Sequence, residues 1–249
     1  MTRHFSVALG AAFICMMSSV GVAQTVIKDA GFALPEAMRY DAANDRYLVS
    51  NINVDPLAVD NNGFISIVSP DGKVANLKWI AGGANGVTLD APKGIAIHTD
   101  VLYVADLSRV RMFDLATGAP RGERVIDGAR ILNDLVVAAD GTIYVTDSGA
   151  FDGDATKGAI FKITAQGQVS ALARGAELKV PNGIALDAAG NLVVVPFGGA
   201  EVQTRRTDGT LIDTKVLAQG QLDGVIVLPD GSKLISSWAT KQVVRQMPD

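Results

Sequence analysis

The sequence predicts an all-β fold built from one repeated four-stranded unit, on three observations. A short line recurs five times: Leu34-Pro35-Glu36-Ala37, Ala91-Pro92-Lys93-Gly94, Ile131-Leu132-Asn133-Asp134, Val180-Pro181-Asn182-Gly183 and Gln221-Leu222-Asp223-Gly224. Each copy leads into short runs of Val, Ile, Leu and Tyr cut by Asn, Asp and Gly turn signals. No long segment carries helical periodicity. The slot residues are 57, 40, 49 and 41 positions apart, and four short strands per roughly 40 to 45 residues is the mark of a β-propeller blade, the first unit being lengthened by an insert.

The units are read in order. In the first, Glu36 opens an inner strand, Asn44-Asp45 turns the chain, and Tyr47-Leu48-Val49 returns it. A polar insert, Asn51 to Gly63, precedes the third strand, and Pro70-Asp71-Gly72 turns into the fourth. The second unit opens at Lys93, continues through Leu102-Tyr103-Val104 and turns at Thr117-Gly118. The third opens at Asn133, turns at Asp140-Gly141, and continues through Ile143-Tyr144-Val145. It carries a second insert, Asp147 to Lys157, and turns again at Gln166-Gly167. The fourth opens at Asn182 and turns at Gly190-Asn191 and Asp208-Gly209. The fifth opens at Asp223, turns at Asp230-Gly231, and reaches a third strand around Val243 to Met247. Thr25 to Ala30 is expected to be an outer strand. Two layouts follow: a five-bladed ring completed by that segment, or a six-bladed parent fold of which this chain holds five recognisable blades.

Residues 1–23 read as a secretory signal peptide: Arg3 and His4, an apolar run from Phe5 to Met17, and a small-residue cleavage site at Gly21-Val22-Ala23. The propeller is then residues 24–249, and the expected location is periplasmic or secreted. The single cysteine, Cys15, falls inside the signal. The mature chain therefore has no disulfide, thiol nucleophile or thiolate ligand. The net charge is −4 with no basic cluster, so neither nucleic acid nor, after signal cleavage, a membrane is an expected partner. A small-molecule substrate is expected; oligomeric state is not readable.

Propeller geometry places the five slot residues, Glu36, Lys93, Asn133, Asn182 and Asp223, around the channel mouth on one face. The two inserts stand over the same face as candidate lids. The residues closing the second strands, among them Asn51, Asp106, Asp147 and Trp238, form a wider circle there. Asp106 and Asp147 also suit turn caps. Ser148 has no histidine to activate it, and His98 lies in a turn on the opposite face.

The ordered slots resemble the senescence marker protein/gluconolactonase/LRE-like family of six-bladed propellers over nearly all of the mature chain. The resemblance implies a divalent cation at the mouth, held by Glu36, Asn182 and Asp223, with Asn133 as fourth ligand or substrate contact. Two carboxylates and two amide carbonyls form a hard-oxygen set for calcium first, with magnesium, manganese or zinc as alternatives. The implied activity is lactone or related ester hydrolysis. Asp223 or Asp134 would be the general base, and Lys93, Asn133, Asn51, Asp147 and Trp238 would contact substrate.

Two departures from the family are plain. Ile131 stands where family lactonases often carry an arginine for the sugar acid, with Arg130 beside it on the other face of an extended segment. Lys93 would repel a cation, or replace it by pairing with Glu36 and Asp223. Two other readings stand beside the hydrolase: a non-catalytic NHL-like propeller that binds a peptide, glycan or small ligand at the mouth, and a lyase of the virginiamycin type, which needs a histidine near the axis.

Overall fold

The computed structural model describes residues 28–149 and 154–248. The signal segment, the start of the expected Thr25–Ala30 strand and the centre of the second insert lie outside the described residues. Lys28 to Ala30 are not in a strand.

Blade one is β1 (Pro35–Asp41), β2 (Arg46–Asn51), β3 (Phe64–Val68) and β4 (Val74–Ala81). Blade two is β5 (Pro92–His98), β6 (Val101–Asp106), β7 (Arg109–Asp114) and β8 (Pro120–Val125). Blade three is β9 (Leu132–Val137), β10 (Ile143–Asp147), β11 (Ala159–Ile163) and β12 (Val169–Arg174). Blade four is β13 (Pro181–Leu186), β14 (Leu192–Pro196), β15 (Glu201–Arg205) and β16 (Leu211–Val216). Blade five is β17 (Leu222–Val227), β18 (Lys233–Ser237) and β19 (Gln242–Gln246). Every sheet is an antiparallel meander in chain order; four have four strands and the last has three among the described residues.

The alternation of the strands decides the packing, because each blade buries one face against each neighbour. Four hydrophobic clusters result, one at each successive junction. The first joins Leu48, Ile65 and Ile80 of blade one to Ile95, Leu102 and Phe113 of blade two. The last joins Val193 and Val202 to Leu222, Val225 and Ile235. The inner strands pack side by side in the order β1, β5, β9, β13, β17. Strands β17 and β1 share no comparable contact. Met38 (65%) and Val243 (66%) stay exposed on the two flanks of that opening. The ring of five blades is therefore open on one side.

Glycines set the spacing of the closed junctions. A Cβ on Gly94 would stand 2.5 Å from the Asp134 Cα, and one on Gly183 would stand 2.4 Å from the Asp223 carbonyl oxygen. The backbones of neighbouring inner strands meet there, and only glycine fits. At Gly224, beside the opening, the nearest atom is the Ser236 Oγ of the same blade at 3.4 Å.

Candidate functional site

Each repeated slot is a β-bulge. In β1 the register jumps from Pro35 opposite Asn51 to Met38 opposite Val49, so Glu36 and Ala37 together face Ser50. The same two-against-one step occurs at Lys93-Gly94, Asn133-Asp134, Asn182-Gly183 and Asp223-Gly224. A bulge bends the strand and re-aims a side chain. Hydroxyls on the second strand hold three of the five: Ser50 Oγ accepts from Ala37 N at 3.0 Å, Thr146 Oγ1 from Asp134 N at 3.1 Å, and Ser236 Oγ from Gly224 N at 2.8 Å. The Ser50 and Thr146 hydroxyls then donate to the Lys93 and Asn182 carbonyls of the next blade.

The entry to the slots falls into two kinds. Leu34, Val180 and Gln221, two residues before Glu36, Asn182 and Asp223, have φ of 47°, 62° and 49°. The left-handed region is costly for these residues, most of all for β-branched Val180. The corresponding Ala91 and Ile131 instead donate their N–H to Asp106 at 2.7 Å and Asp147 at 2.8 Å. The strained entries thus coincide with three of the four expected cation ligands.

Glu36, Asn133, Asn182 and Asp223 line one central cavity of about 390 Å³, together with Asp134 and Arg39. Burial, then the neighbouring Asp223, pushes the Glu36 carboxyl up to about 7; Lys93 acts the other way. Burial also raises Asp223, against side-chain hydrogen bonds from Trp238 and Asn182 that favour its ionised form. Asn133 Nδ2 donates to Ser148 Oγ at 3.1 Å, which leaves its carbonyl oxygen unpartnered among the described residues. The site therefore holds carboxylates that burial disfavours as anions, beside an open amide oxygen. A hard divalent cation is the partner such a donor set fits. Among the described residues no three His, Cys, Asp or Glu side chains gather as a metal-ligating group. Any cation here would rest on two carboxylates and two amides.

The structure sorts the other expected residues. Lys93 is 1% exposed, and its Nζ donates to the Pro56 carbonyl at 2.9 Å and the Ala91 carbonyl at 3.1 Å. It forms no ion pair with Glu36 or Asp223. Lys93 therefore anchors the first insert to the slot face, its ammonium committed to two backbone carbonyls. Burial lowers its pKa, offset by Glu36, Asp106 and Asp55.

Asn51 is fully buried and is no substrate contact: its Oδ1 accepts from Ala33 N at 3.0 Å, and its Nδ2 donates to Val49 O and Ser66 Oγ. Asp147 is likewise buried and takes the N–H groups of Ile131, Gly149 and Arg130 at 2.8 to 3.0 Å. Both cap the chain entering the slots, the simpler of the two roles open to Asp147.

Asp134 lies in the cavity wall, but its oxygens accept from Leu135 N at 2.8 Å and Ile184 N at 3.1 Å. That ties blade three to blade four. Burial raises its pKa and the Arg39 guanidinium lowers it. Trp238 is 62% exposed at the mouth, hydrogen-bonded to Asp223 and edge-on to Phe197 with ring centroids 6.2 Å apart.

Arg39 is the site residue that strand alternation conceals. Without a bulge, residues three apart face opposite sides of a strand. The extra residue at Glu36-Ala37 brings Glu36 and Arg39 to one cavity, where Arg39 Nε donates to Ile95 O at 3.1 Å.

Residues 72–249 match the family model described as the SMP-30/gluconolactonase/LRE-like region. The chain belongs to this family. Solved structures with the same fold include a gluconolactonase from Xanthomonas campestris: TM-score 0.61, 20% identity, 87% of this chain and 76% of that one. Another is described as a candidate gluconolactonase: TM-score 0.58, 18% identity, 88% and 79%. A third is a catalytically inactive histidine-to-alanine variant of virginiamycin B lyase from Staphylococcus aureus, with quinupristin: TM-score 0.61, 14% identity, 86% and 67%. No curated protein matches the sequence. At these identities the likeness establishes the SMP-30/gluconolactonase/LRE-like propeller fold and leaves the chemistry to the site.

Proposed function

We propose that this protein is a divalent-cation-dependent hydrolase of a lactone or related ester, with calcium as the first-choice ion. One observation carries the reading: four oxygen-bearing slot residues, Glu36, Asn133, Asn182 and Asp223, line a single cavity in a gluconolactonase-family fold. The burial-raised Glu36 and Asp223 support it, since a cation would favour their ionised forms. These four side chains would hold the ion. When bound, it would supply Lewis-acid polarisation of the substrate carbonyl and an acidified water.

The chain's own groups divide the remaining work. Asp223 is the general base of choice, because the Trp238 and Asn182 hydrogen bonds orient its carboxylate at the mouth. Asp134 is less suited, with both oxygens already accepting backbone N–H groups. Trp238 and Phe197 offer an aromatic wall to the substrate body on the side of blades four and five. On the opposite side the first insert is held down by Lys93, whose Nζ donates to the Pro56 carbonyl. The lyase alternative lacks its histidine: His98 ends β5, far from the slots, and is the only histidine among the described residues. Activity in the periplasm or outside the cell rests on the signal segment. Among the described residues no helix is long and apolar enough to cross a membrane.

The test is pH-stat hydrolysis of a lactone panel by mature protein, with EDTA and then with calcium restored. At least one lactone should be hydrolysed in calcium, with activity lost in EDTA. Asp223→Ala should lower kcat by about 10²-fold or more. An inactive panel with retained binding of a ligand at the mouth would move the protein to the non-catalytic binders.

A further inference from the structure

The central cavity reaches sideways out of the ring. Besides the slot residues it is lined by Met38 of blade one and by Ile226, Leu234 and Val243 of blade five. These side chains stand on the two flanks of the opening between β17 and β1. One cavity of about 390 Å³ thus runs from the four oxygen donors outward into an apolar groove.

Strand alternation builds the blade-five flank. Ile226 faces Leu234 across β17 and β18, and Ser236 faces Val243 across β18 and β19. Val225 and Ile235, one residue away on each strand, turn the other way into the core against blade four. Gly224 adds no side chain to this flank. At Gly94 and Gly183 the place of a Cβ is crowded by the backbone of the next inner strand. At Gly224, among the described residues, only Ser236 Oγ comes within 4 Å of that place. The groove therefore occupies the position that an inner strand takes at a closed junction.

The polar groups nearest the groove are committed. Ser236 Oγ accepts from Gly224 N at 2.8 Å. Arg245, opposite Leu234 on β19, is drawn off to Asp230 and Ser232. Met38, Ile226 and Val243 nevertheless stay exposed. An apolar wall that continues from a few convergent polar groups is the lining of a small-molecule site. Met38, Ile226, Leu234 and Val243 offer no partner to the hydroxyls of a sugar lactone, and burying such hydroxyls against them costs affinity. A hydrocarbon chain loses nothing there and leaves water.

We propose that this groove takes an aliphatic chain of the substrate, so that the protein acts on a lactone or ester with an alkyl or acyl tail. The inference rests on the hydrolase reading for the reacting group. The reacting carbonyl lies at the slots and the tail runs outward between blades five and one. Asp223 to Ile226 is three residues, on the order of 10 Å of strand. An extended tail of roughly six to eight carbons covers that length. A fully buried methylene is worth about fourfold in binding, and a groove open on one side gives less.

The test uses γ-butyrolactone, γ-hexalactone, γ-octalactone and γ-decalactone, beside glucono-δ-lactone. Hydrolysis by the mature protein in calcium is followed by pH-stat, and binding by calorimetric titration into Asp223→Ala. From γ-butyrolactone to γ-decalactone, kcat/KM should rise by at least about twofold per methylene, and affinity for Asp223→Ala should rise in the same order. Met38→Ser and Val243→Ser, both at exposed positions, should flatten the rise. Val216→Ser, on the outer strand of blade four, should keep it. Gly224→Val fills the groove and should cut kcat/KM for γ-decalactone at least about fivefold more than for γ-butyrolactone. Hydrolysis with a flat chain-length profile, a preference for glucono-δ-lactone, or a rise that survives Val243→Ser and Gly224→Val would overturn the proposal and leave the hydrolase reading standing. Affinity that rises with chain length, in a protein that hydrolyses none of these lactones, would retain the groove and sink the hydrolase reading instead. Neither hydrolysis nor binding would overturn both.

Discussion

Replacing Glu36 by glutamine should remove much of the pH dependence of stability in the cation-free protein. The Glu36 carboxyl is pushed from 4.5 to about 7 in the folded chain, first by burial and then by Asp223. Unfolding returns it to the ordinary value. Between those two pH values the native state holds a proton that the unfolded state has released. Stability from this group is thus fully present below pH 4.5 and is lost as pH rises through 7. From pH 5 to pH 8 the loss is on the order of 2 to 3 kcal/mol, since each tenfold difference in proton affinity between the two states is worth about 1.4 kcal/mol. Glutamine keeps the shape and carries no ionisation penalty.

Urea unfolding in EDTA at pH 5 and pH 8 measures the difference directly. The wild-type protein should lose roughly 2 to 3 kcal/mol more than Glu36→Gln over that interval. Calcium should restore stability at pH 8 to the wild type and much less to the variant, because the cation binds the ionised carboxylate. Equal pH slopes in the two proteins would refute the reasoning, since Glu36 would then be either solvated or paired.

Four further substitutions test the frame around the site. Gly183→Ala should destabilise by roughly 2 kcal/mol or more, its Cβ falling 2.4 Å from the Asp223 carbonyl. Gly224→Ala, with 3.4 Å to Ser236 Oγ, should change the urea midpoint little. Asp147→Ala leaves three N–H groups uncapped and should cost about 3 kcal/mol in the same unfolding measurement. Lys93→Met releases the Pro56 carbonyl, so limited proteolysis should cut faster within Asn51–Gly63.

The repeated line made the inner strands legible, because each copy places a turn, an alternating run and a polar slot at one phase. The sequence could not show that the slots are bulges. That single extra residue places Arg39 in the cavity beside Glu36, against the alternation that the residues alone imply. Asn51 and Asp147 read as rim residues because they close second strands. The backbone N–H groups at Ala33, Arg130 and Ile131 claim them, and loop conformation brings those groups within reach. Lys93 was ambiguous for a similar reason. Its partner, Pro56 O, belongs to an insert whose path no periodicity encodes.

Fold and family were readable from the spacing of the slots, whereas the capping roles depend on contacts between segments far apart in sequence. The left-handed residues before Glu36, Asn182 and Asp223 had no clear signal either, since Leu34, Val180 and Gln221 are poor formers of that conformation. Their carbonyls accept from Ile52 N, Phe197 N and Trp238 N, each just past the second strand of the same blade.

The most direct measurement is calorimetric titration of calcium into EDTA-stripped mature protein, with Asp223→Ala beside it. One ion should bind per chain more tightly than about 1 mM. Up to about one proton should be released near pH 6 as Glu36 ionises, and Asp223→Ala should abolish the binding. No binding, or equal binding by wild type and Asp223→Ala, would contradict a cation held in the central cavity.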